Sequence, residues 1–364
     1  MSRGTLATVD GEALRHNIAV AREMAPAARV VAVVKSNGYG HGLLPVARAL
    51  WRDADAFAVT CIDEARPLRE AGLRHPILLL EGLYEPQEIT AVQSLGLDLV
   101  IHTAWQLEVL EAVDGPAVNV WLKVDSGMHR LGFAPAEVAG VHERLRACES
   151  VGDVRLMTHL ARADDRGCEY TDFQIRTMET ACAGLPGEQC WANSAGTLGW
   201  PRTHADWVRP GIMLYGASPF CDGRERPPLR PAMTLESRLV AISQRQRGDL
   251  IGYGGTYACP EDMPVGVVAI GYGDGYPRHA GTGTPVLING QRAQLVGRVS
   301  MDMICVDLRR VPGAAVGDRV VLWGEGLPAE EVADHAGTIA YELFCQVTAR
   351  VPFQYRDLES HGQG

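Results

Sequence analysis

From residue 28 to about residue 211, short aliphatic or β-branched runs alternate with amphipathic segments that end at a glycine, which is a βα rhythm. The strand-like runs fall at 30–34, 56–59, 77–80, 98–101, 118–124, 154–159, 190–193 and 207–209. The helices between them carry the expected punctuation: 62–71 stops at Gly72, 86–95 stops at Gly96, and Pro135 opens another at a first-turn position. Eight such units predict a closed (β/α)8 barrel of the TIM type, each helix burying one face on it.

The pattern breaks at 221–231, C-D-G-R-E-R-P-P-L-R-P, where proline and charge cannot continue a helix or a central strand. Beyond this linker, 234–243, 265–270 and 286–288 are strand-like, and Asn289-Gly290 is a strong hairpin signal. Helical stretches follow at 329–335 and 339–345. The chain is therefore expected to be α/β, with the barrel over 1–228 and a mostly β C-terminal domain over 229–364. It has no internal repeat and no low-complexity segment.

Composition narrows the classes of function. A formal charge of −10 without a basic stripe argues against a nucleic-acid partner. No window approaches the run of about 18 apolar residues that spans a membrane, and residues 1–10 lack a basic segment followed by an apolar one. A cytoplasmic protein with a small-molecule ligand is expected. The nine cysteines are odd in number and none is paired at the spacing of a zinc or redox motif, so they read as reduced thiols and no metal is expected.

Lys35 ends an apolar run, so its amine emerges at the C-terminal mouth of the barrel, where such barrels place their chemistry. A lone strand-end lysine usually snorkels to water. Against apolar walls and fixed cations, however, a lysine loses proton affinity and becomes a nucleophile toward an aldehyde cofactor. The surrounding motif, V-V-K-S-N-G-Y-G-H-G at 33–42, resembles the cofactor-lysine signature of the alanine racemase family. The resemblance continues in family order through K-V-D-S-G-M-H-R-L-G (123–132), T-H-L-A (158–161), A-N-S-A (192–195) and V-R-P-G-I-M-L-Y-G (208–216). It extends past the linker through G-Y-G-G-T-Y (252–257), G-Y-G-D-G-Y-P-R (271–278) and G-R-V-S-M-D (297–302). A single glycine-rich loop is weak evidence, whereas an ordered set covering nearly the whole chain is hard to assemble by chance.

The resemblance implies that Lys35 holds pyridoxal phosphate through its amine and serves as one of two acid/base groups, with Tyr253 as the other. In the family that tyrosine comes from the partner subunit, which implies a homodimer with shared active sites. The same resemblance assigns Arg209 to the pyridine nitrogen, His159 beside the ring, and Tyr39, Ser194, Gly211 and Ile212 to the phosphate. Arg130 and the backbone of Met301 are expected to grip the substrate carboxylate. Lys123 matches a lysine that family members carry as a carbamate, and Tyr272, Arg278 and Arg298 match residues of the entrance.

One position departs from the family pattern: C-Q-V-T-A-R-V-P places Ala349 where many members have a tyrosine of the inner gate. The lost ring leaves room for a serine side chain beside alanine. Three rival readings are weaker on the residues. A decarboxylase of basic amino acids with the same architecture would place an acidic residue where Arg209 stands. A noncatalytic single-barrel carrier of the cofactor would lack the second domain and Tyr253. A homodimer that had lost activity would not need the matched catalytic positions. The resemblance thus implies an amino-acid racemase, an isomerase that supplies or consumes D-alanine, with alanine as its substrate.

Overall fold

The computed structural model describes residues 3–220 and 227–358, so 221–226 of the expected linker lie outside the described residues. Eight parallel strands close the barrel. They follow an initial strand β1 (Leu6–Asp10) and run as β2 (Arg29–Val33), β3 (Ala56–Val59), β4 (Ile77–Leu79), β5 (Asp98–Ile101), β6 (Val118–Lys123), β7 (Val151–Met157), β8 (Gln189–Ala192) and β9 (Trp207–Val208). Each falls within a few residues of its expected run. The largest displacement is at β7, where the polar Gly152 and Asp153 carry the strand three residues earlier than its apolar content indicates.

The barrel interior is filled by Val31, Val33, Ala56, Ala58, Leu78, Leu80, Val100, Trp121, Met157, Cys190 and Trp207, so it is a packed core and not a pore. Its N-terminal end is sealed by charge. Arg155 reaches Asp98 at 3.5 Å, Asp153 at 3.1 Å and Glu188 at 2.9 Å. The same guanidinium lies over the faces of Trp121 and Trp207, whose indole N–H groups donate to Asp98 and Glu188. With that floor closed, the open end is the C-terminal one.

The second sheet has eight strands, in the order Met263–Val268, Ile304–Asp307, Gln291–Val296, Pro285–Ile288, Arg319–Trp323, β10 (Met233–Arg245), β1 and Phe353–Arg356. Met263–Val268 also pairs with β10, which closes part of the sheet into a ring. Asn289 and Gly290 turn the predicted hairpin with φ of 48° and 78°, as a two-residue turn with both centres left-handed requires.

Residues 6–10, placed with the barrel by the sequence pattern, belong instead to this second sheet: β1 runs antiparallel to β10 and parallel to Phe353–Arg356. Its partners lie far away along the chain, so no local signal announces the pairing. From β1 the chain enters the barrel through the helix Gly11–Met24, capped by the Asp10 carboxylate on the Ala13 N–H. Within that helix the buried Asn17 amide donates to the carbonyls of Leu214 and Arg230 and accepts from the Arg230 N–H. One side chain thereby pins the turn after the last barrel strand and the chain leaving it. Among the described residues no helix is long and apolar enough to cross a membrane.

Candidate active site

After Lys35 the chain makes a left-handed turn: φ is 54° at Ser36, 55° at Asn37, 60° at Gly38 and 48° at Tyr39. Left-handed backbone costs an L-residue roughly 1–2 kcal/mol each, so the turn must be held from outside. The Glu64 carboxylate accepts from the N–H of Ser36 at 2.6 Å and of Thr60 at 2.8 Å, bridging the ends of β2 and β3. Asn37 accepts from the Leu43 N–H, and Tyr39 stacks on Tyr215 with centroids 4.7 Å apart. The second domain supplies the last constraint, because a Cβ on Gly40 would stand 2.1 Å from the carbonyl oxygen of Phe344. The result aims the Lys35 amine and the Tyr39 ring into the same cavity.

That cavity, about 230 Å³, lies at the barrel mouth and is lined by nine of the residues singled out from the sequence: Lys35, Tyr39, Lys123, Arg130, His159, Ser194, Arg209, Gly211 and Ile212. Among the described residues Glu81 is the one carboxylate in its wall, 3.4 Å from the Lys35 amine. The chain contains two lysines, Lys35 and Lys123, and both face this space. A cavity with two lysines, two arginines and a single carboxylate suits a ligand carrying several negative charges.

Arg209 is buried and held by neutral groups only. Its guanidinium donates to the Cys190 sulfur at 3.0 Å, the Thr158 carbonyl at 3.0 Å and His159 Nδ1 at 3.1 Å. Burial, with Arg209 and the other cations beside it, holds the His159 imidazole far below its ordinary value and therefore neutral, able to accept that hydrogen bond. Because no carboxylate among the described residues pairs with Arg209, its charge faces the cavity. A guanidinium does not release a proton to a ring nitrogen it meets.

At the other side of the cavity, Ser194 accepts from the backbone N–H of Gly211 at 2.8 Å and of Met213 at 3.3 Å, gathering N–H donors at the start of the turn Ile212–Tyr215. A Cβ at Gly211 would come within 2.6 Å of the Tyr39 hydroxyl, so glycine keeps that corner open. Backbone N–H groups, two hydroxyls and nearby cations form a cradle suited to a phosphate. Lys123 is 7% exposed, and its side-chain amine makes no hydrogen bond or ion pair among the described residues. Burial, reinforced by Arg209, Arg130 and Lys35 against the opposing Glu81, lowers its amine to about 8.

The remaining candidates lie outside this cavity. Tyr253 is 69% exposed on the second domain, Met301 is 52% exposed, and Tyr272, Arg278 and Arg298 are exposed. Several of them are tied together. The Tyr272 N–H donates to Ser300 and the Gly273 N–H to Met301, while the space over Gly254 is taken by the Arg298 guanidinium. Thr348 bonds the carbonyls of Gly273 and Asp274, which places the exposed Ala349 with this surface and not in the wall of its own chain's cavity. Buried Asp274 locks the group, accepting from Arg3 at 2.6 Å and the Gly271 N–H at 3.1 Å with Arg350 at 3.5 Å.

Glu81 and Tyr341 also line the cavity and were not singled out from the sequence. Glu81 had a signal, since L-L-L-E-G repeats the pattern that marks Lys35, an apolar run ending in a charged residue near glycine. Tyr341 had none, because its place depends on the second domain docking on the barrel.

A parallel barrel with a lysine at a strand end, an uncompensated arginine and a phosphate cradle in one cavity defines a pyridoxal-phosphate-dependent enzyme. Residues 9–219 match the family described as alanine racemase, N-terminal domain, and residues 232–355 match the alanine racemase, C-terminal domain. An alanine racemase of Halorhodospira halophila is 56% identical over 96% of this chain and 97% of its own length. One of Nitrosococcus oceani is 53% identical over 95% and 98%. The crystal structure of the biosynthetic alanine racemase from Pseudomonas aeruginosa superposes with a TM-score of 0.95 at 47% identity, covering 97% of this chain and 99% of that one. The chain belongs to the alanine racemase family, whose members are pyridoxal-phosphate-dependent isomerases.

Proposed function

We propose that the protein interconverts L- and D-alanine, with Lys35 and Tyr253 exchanging the α-proton on opposite faces. The observation that carries this reading is the single cavity that joins Lys35 to Arg209 and the phosphate cradle. When bound, pyridoxal phosphate withdraws electrons from the substrate Cα and so acidifies its proton. The chain's own groups do the rest. Ser194, Tyr39 and the N–H groups near Gly211 hold the phosphate, His159 keeps Arg209 in place, and Arg130 at the cavity rim takes the substrate carboxylate. Arg209 keeps the ring nitrogen unprotonated, which restrains the electron withdrawal to what a racemase needs.

Inverting a stereocentre is simplest with one proton carrier on each face, and Lys35 occupies one. Tyr253 stands exposed on the second domain with Met301 and Tyr272, and this surface supports a homodimer in which each subunit's second domain closes the other's mouth. The protein then works in the cytoplasm as a dimer, supplying or consuming D-alanine. The proposed division is a barrel over residues 1–228 and a gate-bearing domain over 229–364, although β1 pairs within the second sheet.

Circular dichroism of L-alanine with the purified protein and added cofactor tests the reaction: the signal should decay to zero, and a stable signal would defeat the proposal. Serine is expected as a slower substrate, because Ala349 leaves a gate ring missing from the surface that meets the partner's mouth. Ala349→Tyr should then lower serine turnover several-fold more than alanine turnover, on the order of 1 kcal/mol of discrimination. Equal effects would remove Ala349 from substrate choice.

Lys123 is proposed to carry a carbamate, its amine nitrogen bonding the carbon of CO2 with release of a proton. The modification turns an unpartnered cation among cations into an anion that orients Arg130. Only the neutral amine reacts, so the carbamate should build as pH rises through about 8 and be lost as pH falls below it. A carbonyl resonance from 13C-bicarbonate, absent in Lys123→Ala, is the expected result. No such resonance in the wild-type protein at pH 9 would show the lysine unmodified.

A further inference from the structure

We propose that Gln174 is a positioning residue that fixes the loop carrying Arg130 against the segment carrying His159; the proposal rests on the reading of this cavity as the site of pyridoxal phosphate and alanine. Gln174 stands on the helix Tyr170–Ala181, fully buried behind the barrel mouth and outside the cavity wall. Its amide is engaged at both ends. The oxygen accepts from the Ala161 N–H at 2.8 Å, and the nitrogen donates to the His159 carbonyl and to the Ser126 hydroxyl, both at 3.1 Å. That orientation is forced, since the flipped amide would set N–H against N–H at Ala161 and oxygen against oxygen at His159.

From Ser126 the donors continue in one direction. Thr158 gives its single hydroxyl proton to the Val124 carbonyl at 2.9 Å, so across the 2.7 Å contact between the two hydroxyls Ser126 donates to Thr158. Gln174, Ser126, Thr158 and Val124 thus form one directed chain, with Ser126 and Thr158 only 2% and 1% exposed. A buried chain in which every member is paired is rigid, and deleting one member leaves its neighbours unsatisfied.

The two sides of the chain belong to different parts of the site. The Thr158 carbonyl and His159 Nδ1 hold Arg209. Ser126 opens the loop 126–130, whose last residue is Arg130. Asp125 gathers that loop from within, accepting from the N–H groups of Gly127 at 3.1 Å and of the left-handed His129 at 2.9 Å. The helix of Gln174 braces it from outside: the Tyr170 hydroxyl donates to the Gly127 carbonyl at 2.7 Å, and a Cβ on Gly127 would stand 2.9 Å from that hydroxyl and 3.4 Å from the Gln174 side chain. The Arg130 side chain makes no hydrogen bond or ion pair among the described residues, so the loop sets where its guanidinium stands. Gln174 thereby fixes the spacing between the group that takes the substrate carboxylate and the group that meets the cofactor ring. An error of about 1 Å in such a spacing can cost on the order of 10²-fold.

Ser126→Ala breaks the chain at its middle, and Gln174→Met, close in volume, removes it at its source. The holoenzymes are assayed for alanine racemisation with propionate, a carboxylate without an amine, as competitive inhibitor, and the apoenzymes are titrated with pyridoxal phosphate. Ser126→Ala should raise KM for alanine and Ki for propionate about tenfold each, keep kcat within about threefold, and bind the cofactor as the wild type does. Gln174→Met should show the same rise, and the double variant no more than the larger single one, because one chain is broken only once. Should Gln174→Met not fold, Ser126→Ala decides alone. Unchanged KM and Ki in Ser126→Ala overturn the proposal, as does an equal loss of cofactor affinity, which would mean a general loosening of the barrel mouth. Arg130→Ala separates this inference from the reading beneath it. If that variant keeps wild-type inhibition by propionate, the carboxylate grip lies elsewhere and both fall; weakened inhibition in Arg130→Ala alone removes only the role of Gln174.

Discussion

Lys35→Ala is expected to lower racemisation about 10⁴-fold or more, below the detection limit of a coupled assay, while leaving the fold intact. The side chain is 31% exposed and its one ion pair is to Glu81, so its loss removes little packing. Function is expected to find no substitute, because the second lysine of the chain, Lys123, stands on a different strand of the barrel, at the end of β6. The variant should therefore lose both the proton carrier and the covalent attachment. Racemisation at near wild-type rates in Lys35→Ala, checked by circular dichroism, would show that the chemistry lies elsewhere.

Tyr253→Phe is expected to have the next largest effect, a loss of about 10²–10⁴-fold in turnover with cofactor binding preserved. The two directions should not suffer alike. With Lys35 remaining on one face, exchange of the α-proton in deuterated solvent should persist from one enantiomer and nearly vanish from the other. Equal loss from both would mean that the two carriers do not face each other across the substrate. Because Tyr253 is exposed and is not in the wall of its own chain's cavity, mixing the inactive Lys35→Ala and Tyr253→Phe proteins gives a further outcome. If the sites are shared, each mixed dimer has one of its two sites with both residues native, and since about half the dimers of an equal mixture are mixed, activity returns toward about a quarter of wild type. No recovery after subunit exchange would contradict a shared site.

Much of this site is local in sequence, which is why it was legible. The barrel strands announce themselves as apolar runs, and a residue that directly follows such a run is placed at the mouth by the strand itself, as Lys35, Lys123 and Arg209 are. Ser194 and Gly211, which the family resemblance assigns to the phosphate, each stand at the start of a short helical turn just beyond a strand. What escaped was non-local. β1 falls inside the range assigned to the barrel but pairs with β10 and the last strand, and a short run of this kind carries no information about which sheet receives it. The left-handed turn at 36–39 has no local signal that demands it, since its one glycine and its asparagine permit the conformation without requiring it; Glu64, Tyr215 and Phe344, scattered along the chain, impose it. Tyr341 went unnoticed for the same reason.

In the proposed reaction Lys35 carries the cofactor inside this cavity, and a chain with two lysines allows that attachment to be located at one atom. The holoenzyme is reduced with borohydride, digested, and mapped by mass spectrometry for the pyridoxyl phosphate adduct. The account predicts that the adduct sits on the peptide containing Lys35 with Lys123 unlabelled. An adduct on Lys123, or none on either lysine, would contradict it.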